Sequence, residues 1–216
     1  LVQVDVVQPH LLAVADDQLL EGLAVGEAEA VGPAELEAAG AAPAWRGHSD
    51  TETLLAAFEQ WGLEATLKRT VGMFAIALWD RRELMLHLAR DRFGEKPLYY
   101  GWVNGAFVFG SELKALRAYP GFANPVSREA LALYMRFTYV PAPHSIYQGI
   151  YKLEPGCLLS VCGQPPKMAD FQPLRPPATG QGITLRRWWS LAQVVEAGAK
   201  NQIVDEQEAL TALEAR

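Results

Sequence analysis

The spacing of apolar residues changes character along this chain. The opening LVQVDVVQ puts Val2, Val4 and Val6 on one face, the period-two signature of a strand. Residues 13–42 follow as a stretch rich in Ala, Glu, Val and Gly, with weak helical periodicity and no paired polar groups beyond Asp16 and Asp17. From Ser49 the pattern sharpens. Ser49-x-x-Glu52 reads as a capping box, in which the serine oxygen accepts from a backbone N–H and the glutamate reaches back. Leu54, Leu55, Phe58 and Trp61 then recur at helical spacing, one buried stripe, and Gly62 supplies the stop.

Two apolar runs come next, MFAIALWD (73–80) and ELMLHLARD (83–91), joined by Arg81–Arg82. PLYYGWV and AFVFGSE follow, separated by Asn104-Gly105, a pair suited to a type I′ turn because that turn needs positive φ twice. The reading is an antiparallel meander of about four strands over 73–112. ELKALRAY and SREALALYMRF predict helices, the second with Ser127 as N-cap and Glu129 in an acidic first turn. IYQGIYKL and CLLSVCG flank a turn at Glu154-Pro155-Gly156. Residues 163–182, rich in Pro and Gly, read as loop, and RRWWSLAQVVEAGAK opens a new helical pattern.

Composition narrows the function classes. With 216 residues, half of them hydrophobic, the chain has enough apolar material for a core. Its net charge of −6 and the lack of a Lys/Arg run argue against nucleic-acid binding. Cys157 and Cys162 form neither a disulfide framework nor a CxxC pair, and no apolar run is long enough to span a membrane. The expected setting is cytoplasmic.

WRGHSDTETLLAAFEQWG, VGMFAIALWDRRELMLHLARDRFGEKPLYYG, FVFGSELKAL and FTYVPAPHSIYQGIYKLEPG, preceded by AELEAAG, together resemble the glutamine-hydrolysing asparagine synthetases, and more broadly the class II glutamine amidotransferases. The resemblance covers about 34–165. It implies an α+β fold: an Ntn-hydrolase-like αββα sandwich of stacked antiparallel sheets, here partial. It also implies a two-part enzyme, in which a glutaminase domain passes ammonia to a synthetase domain that activates aspartate with ATP and Mg. The family's nucleophile is an N-terminal cysteine whose own α-amino group serves as base.

The family's CGI, RGPD and NGEIYN segments and its SGGxDS signature do not occur in these 216 residues. The expected organisation is therefore an unmatched segment over 1–33, attributed to a shifted frame or mistaken start, then the C-terminal part of the amidotransferase domain over 34–165. A linker over 166–185 and a lead-in helix of the synthetase domain over 186–216 complete it. No catalytic residue, cofactor or metal site is expected in this chain, and it alone should be inactive. The implied partners are glutamine and the synthetase domain, with a homodimer left open. Two alternatives stand beside this reading: a non-catalytic interaction domain of degenerate glutaminase fold, and a fragment of a related amidotransferase acting on a sugar, peptide or exopolysaccharide intermediate.

By resemblance, Asp50 falls on the carboxylate that binds glutamine through its α-ammonium. Spacing alone reads it as an acidic first-turn residue favoured by the helix dipole. Asn104-Gly105 is expected as a turn rather than an oxyanion hole, and both cysteines as small buried residues. Arg90-Asp91-Arg92-x-Gly94-x-x-Pro97 is expected to be a tight turn locked by ion pairs, and Ser111-Glu112 to cap a helix. His48 and His144 have no partners at metal-ligand spacing.

Overall fold

A computed structural model describes residues 20–25, 28–29, 33–42, 44–45, 50–162, 173–203 and 205–214. In chain order its first elements are β1 (Leu20–Val25), β2 (Ala28–Glu29), α1 (Pro33–Ala38), α2 (Asp50–Trp61) and α3 (Leu63–Arg69). Then come β3 (Val71–Gly72), β4 (Ala75–Asp80), β5 (Met85–Arg90), β6 (Tyr99–Val103), β7 (Ala106–Gly110), α4 (Leu113–Arg117) and α5 (Arg128–Phe137). The last are β8 (Ile150–Lys152), β9 (Cys157–Cys162), β10 (Ala178–Gly180), β11 (Ile183–Arg187), α6 (Leu191–Lys200) and α7 (Glu206–Glu214).

Two antiparallel sheets carry the architecture. The larger has the order β1-β4-β5-β9-β11-β10, and the smaller β7-β6-β8. Successive residues of a strand point to opposite faces, so each strand divides its side chains between two cores. Ala75, Ala77, Leu86, Leu88, Cys157, Leu159, Val161, Ile183 and Leu185 of the larger sheet meet Tyr100, Trp102, Phe107, Phe109 and Tyr151 of the smaller. On the other face of the larger sheet, Ile76, Leu78, Ala89 and Leu158 pack against Leu54 and Phe58 of α2 and Leu67 of α3. On the outer face of the smaller sheet, Val103, Val108 and Ile150 pack against Leu116 of α4. The layers therefore run α-β-β-α, as the α+β expectation required.

Three expectations are corrected. The four strands of 73–112 are not one meander: β4 and β5 pair in the larger sheet, β6 and β7 in the smaller. Residues 91–98 carry the chain across, because stacking the two hairpins buries the inward face of both. Residues 20–25, expected within a weakly helical stretch, form a strand. β1 pairs with β4 from Leu20↔Asp80 to Val25↔Ala75, covering backbone groups that β4 would otherwise leave at an open edge. The loop read over 163–182 contains β10, and the linker over 166–185 contains β10 and the start of β11. Ile183 and Leu185 alternate into the inter-sheet core, which a connecting segment would not do.

Helices α2 and α5 fall where the sequence placed them. α2 buries Leu54 and Phe58, with Leu55 and Trp61 partly covered, and Gly62 follows it at φ 77°. Ser127 caps α5, its hydroxyl accepting from the Ala130 N–H at 3.2 Å. The β6–β7 turn has Asn104 and Gly105 at φ 50° and 76°, both positive as a type I′ turn requires. The expected strand at Val2, Val4 and Val6, the histidine at 48 and the serine of the capping box lie outside the described residues.

Candidate functional site

Asp50 is the first residue of α2. The helix lies against α1, β1 and α3. Thr66 of α3 donates its hydroxyl to the Ala57 carbonyl at 2.9 Å, a buried tie between the two helices. Leu54 and Phe58 fix α2 on the larger sheet, so the apolar stripe determines where the backbone of Asp50 stands. A carboxylate at this end is favoured by the unsatisfied N–H groups of the first turn. Its side-chain geometry lies outside the described residues.

The Arg90–Pro97 segment is a tight turn, but its charges are held by backbone groups rather than by ion pairs. Arg90, 7% exposed, donates from Nε to the Lys96 carbonyl at 2.8 Å and from Nη1 to the Leu153 carbonyl at 2.6 Å. Its Nη2 donates to the Gly94 carbonyl. Asp91, 1% exposed, accepts from the N–H groups of Phe93, Glu95 and Lys96 at 3.0 to 3.1 Å. The two side chains thus satisfy five backbone groups of one crossover and tie it to a sixth, the Leu153 carbonyl, before β9. Gly94 has φ 68°, and a Cβ there would lie 2.8 Å from Pro155 Cγ, so both backbone and space call for glycine. Arg92 donates to the Lys68 carbonyl at 2.7 Å and to the Thr70 carbonyl, placing a cation at the C-terminal end of α3. Sequence reasoning found this turn but missed the Arg92 contact, because its partners lie more than twenty positions upstream.

Neither cysteine is placed for nucleophilic attack. Cys157 is fully buried between the sheets, and burial pushes its thiol up to about 12. Cys162 ends the same strand with its side chain partly covered. Both are internal residues and so lack the free α-amino group that the N-terminal mechanism uses as base. Ser111 and Glu112 do not cap α4 as expected: Glu112 occupies the N-cap position without a side-chain bond and pairs with Lys114 at 2.5 Å instead. His144 closes a turn through its N–H to the Pro141 carbonyl at 3.0 Å.

One polar contact has no precursor in the sequence pattern. His87 Nδ1 and Ser160 Oγ lie 2.8 Å apart, brought together by the β5–β9 register although 73 positions separate them. Burial lowers the pKa of His87, with Asp80 opposing and Arg186 adding to the effect. This pair faces the helix layer, one row from Leu158, and no local motif announces it.

The sequence matches the model of the glutamine amidotransferase domain over residues 33–171, more than half of the chain. The chain belongs to this family. The matched region of this amidotransferase domain includes Asp50, the Arg90–Pro97 crossover and both β6–β7 and β9. Among curated relatives, "Asparagine synthetase [glutamine-hydrolyzing] 1" of Bacillus subtilis is 39% identical over 127 residues, 59% of this chain and 20% of the relative. "Putative asparagine synthetase [glutamine-hydrolyzing] 2" of Methanocaldococcus jannaschii is 34% identical over 108 residues, 49% of this chain and 21% of the relative. The chain thus spans about a fifth of the length of these relatives. A solved structure, a glutamine phosphoribosylpyrophosphate amidotransferase from B. subtilis with ADP and GMP, aligns at TM-score 0.48 and 18% identity, over 85% of this chain and 32% of that one.

Proposed function

We propose that residues 34–165 are the C-terminal part of the glutaminase domain of a glutamine-hydrolysing asparagine synthetase, of Ntn-hydrolase type, and that Asp50 holds the α-ammonium of glutamine. The observation that carries this reading is the amidotransferase match, which runs through Asp50 and is shared with relatives named for that activity. A carboxylate facing an ammonium in a partly desolvated site makes a charge-assisted bond, roughly twice as strong as a neutral one. Such a bond selects an amino acid over a simple amide and orients the side-chain carboxamide toward the nucleophile.

In this reading the chain's own contribution is positioning. α2 presents Asp50, and the Arg90–Asp91 crossover keeps the stacked sheets beneath it in register. ATP and Mg belong to the synthetase domain, and no residue of this chain is assigned to them. No described helix is long and apolar enough to cross a membrane; separately, the proposal places the enzyme in the cytoplasm.

The test is a chimera in which residues 34–165 replace the matching stretch of the Bacillus subtilis relative. The reading predicts glutamine-dependent asparagine formation; a chimera that folds but makes asparagine only from ammonia contradicts it. The chain on its own is expected to release no glutamate from glutamine, because Cys157 and Cys162 cannot act as N-terminal nucleophiles. Glutamate release that survives replacement of both cysteines would overturn that expectation.

A further inference from the structure

α5 buries little of itself. Its one buried side chain is Ala130, and it is held by the Ser127 cap and the segments flanking it. Leu131, Tyr134 and Met135 recur at i, i+3 and i+4 and form a second apolar stripe that faces outward; Met135 is 76% exposed. Val126 before the helix, with Phe137 and Tyr139 after it, extends the patch along the chain. α6 and α7 repeat the motif: Leu191, Val194 and Val195, then Leu210 and Leu213, are all exposed, and neither helix has a buried residue among those described. Large apolar side chains concentrated this way mark a surface meant to be covered.

What covers it follows from size. A ten-residue helix is about 15 Å long, and one face of it falls well short of the roughly 800 Å² per partner in a stable complex of free proteins. A patch this small binds a free partner weakly but measurably and a tethered one securely, because in the tethered case effective concentration supplies what area does not. The relatives carry about four-fifths of their length outside the matched region, and α6 and α7, with open apolar stripes, follow the last strand in the chain. Arg128 and Arg136 give α5 a basic margin on either side of one acidic residue, Glu129.

We propose that the outward stripe of α5, with Val126 and Tyr139 at its ends, is the docking face for the adjoining domain of the same polypeptide, a partner with an apolar surface rimmed by carboxylates. The proposal rests on the asparagine-synthetase reading for the identity of that domain, and it adds the surface by which the two are joined. Leu131 and Met135 then lie at the centre of the contact, where an introduced carboxylate would be desolvated without a partner.

The test uses the chain as it stands and, as probe, the separately produced part of the Bacillus subtilis relative that lies beyond the matched stretch. Binding is read by biolayer interferometry, and the contact by hydrogen–deuterium exchange. The proposal expects measurable binding, protection of 126–139, and binding weakened by about tenfold or more in the Leu131→Glu and Met135→Glu variants. Leu84→Glu, at an exposed turn between β4 and β5, should bind as the parent does. Circular dichroism confirms that each variant folds. Absence of binding, binding without protection at 126–139, or unchanged affinity in the Met135→Glu variant overturns the proposal. A dimer of this chain that Met135→Glu dissolves also overturns it, since the occupant would then be a second copy. Failure of the asparagine-synthetase reading is separable: it appears as an inactive chimera, whereas failure of the docking face appears in the exchange pattern.

Discussion

At the scale of single residues, Arg90 ties the crossover after β5 to the segment before β9. Replacing it with methionine keeps much of its volume but leaves the carbonyls of Gly94, Lys96 and Leu153 without this donor. The expected cost is about 3 kcal/mol of unfolding free energy, since unsatisfied buried acceptors are penalised individually. Urea denaturation of Arg90→Met measures it, and a loss below about 1 kcal/mol would mean that water replaces the guanidinium. Arg90→Lys should recover only part of the loss, because an ammonium lacks the planar fork. His87 gives a pH dependence. Its folded pKa is lowered, mainly by burial, so between the folded value and about 6.5 the unfolded chain binds more protons. The contribution is fully present above about 6.5 and is lost as pH falls through the folded value. The urea midpoint should therefore drop on acidification through this window more steeply in the parent than in His87→Gln; parallel profiles would contradict the assignment. The tight turn at Gly94 and Pro97 was readable from local sequence. The Leu153 acceptor of Arg90 and the Ser160 partner of His87 were not, because each depends on pairing between distant strands.

Among elements, the clearest constraint is the approach of β6 to the segment entering β8. A Cβ on Gly101 would lie 2.1 Å from the Gly149 carbonyl oxygen and 2.8 Å from Ile150 Cα, both backbone atoms that cannot swing away. Gly101→Ala is expected to cost about 3 kcal/mol and to loosen the smaller sheet. Gly105→Ala, where φ is positive but space is open, should cost only about 1 kcal/mol. Thermal or urea denaturation of the two variants ranks them, and the reverse order would contradict the β6–β8 geometry. The individual strands β4 to β7 were legible, since each has an apolar run bounded by turn residues. Their division between two sheets was not, because hairpin signals are local and say nothing about which strand takes the free edge. β5 finds β9 there, seventy positions on. The weak periodicity of 20–25 likewise yielded to the edge of β4.

For the molecule as a whole, the four layers arise because both sheets are apolar on both faces, so each needs one cover of strands and one of helices. The family resemblance anticipated this layering, and the strand alternation explains it residue by residue. Of the proposed site the sequence offers a single carboxylate within a recognisable run, SDTE at 49–52. Its surroundings were not, since a ligand pocket is assembled from separate parts of a chain. The central claim, that Asp50 recognises the amino-acid end of glutamine, is tested most directly by steady-state kinetics of Asp50→Asn in the chimera, with glutamine or ammonia as nitrogen donor. Loss of the charge-assisted bond predicts a glutamine KM raised by about tenfold or more, with ammonia-dependent asparagine formation unchanged. An unaltered glutamine KM, or an equal loss with both donors, would contradict the account.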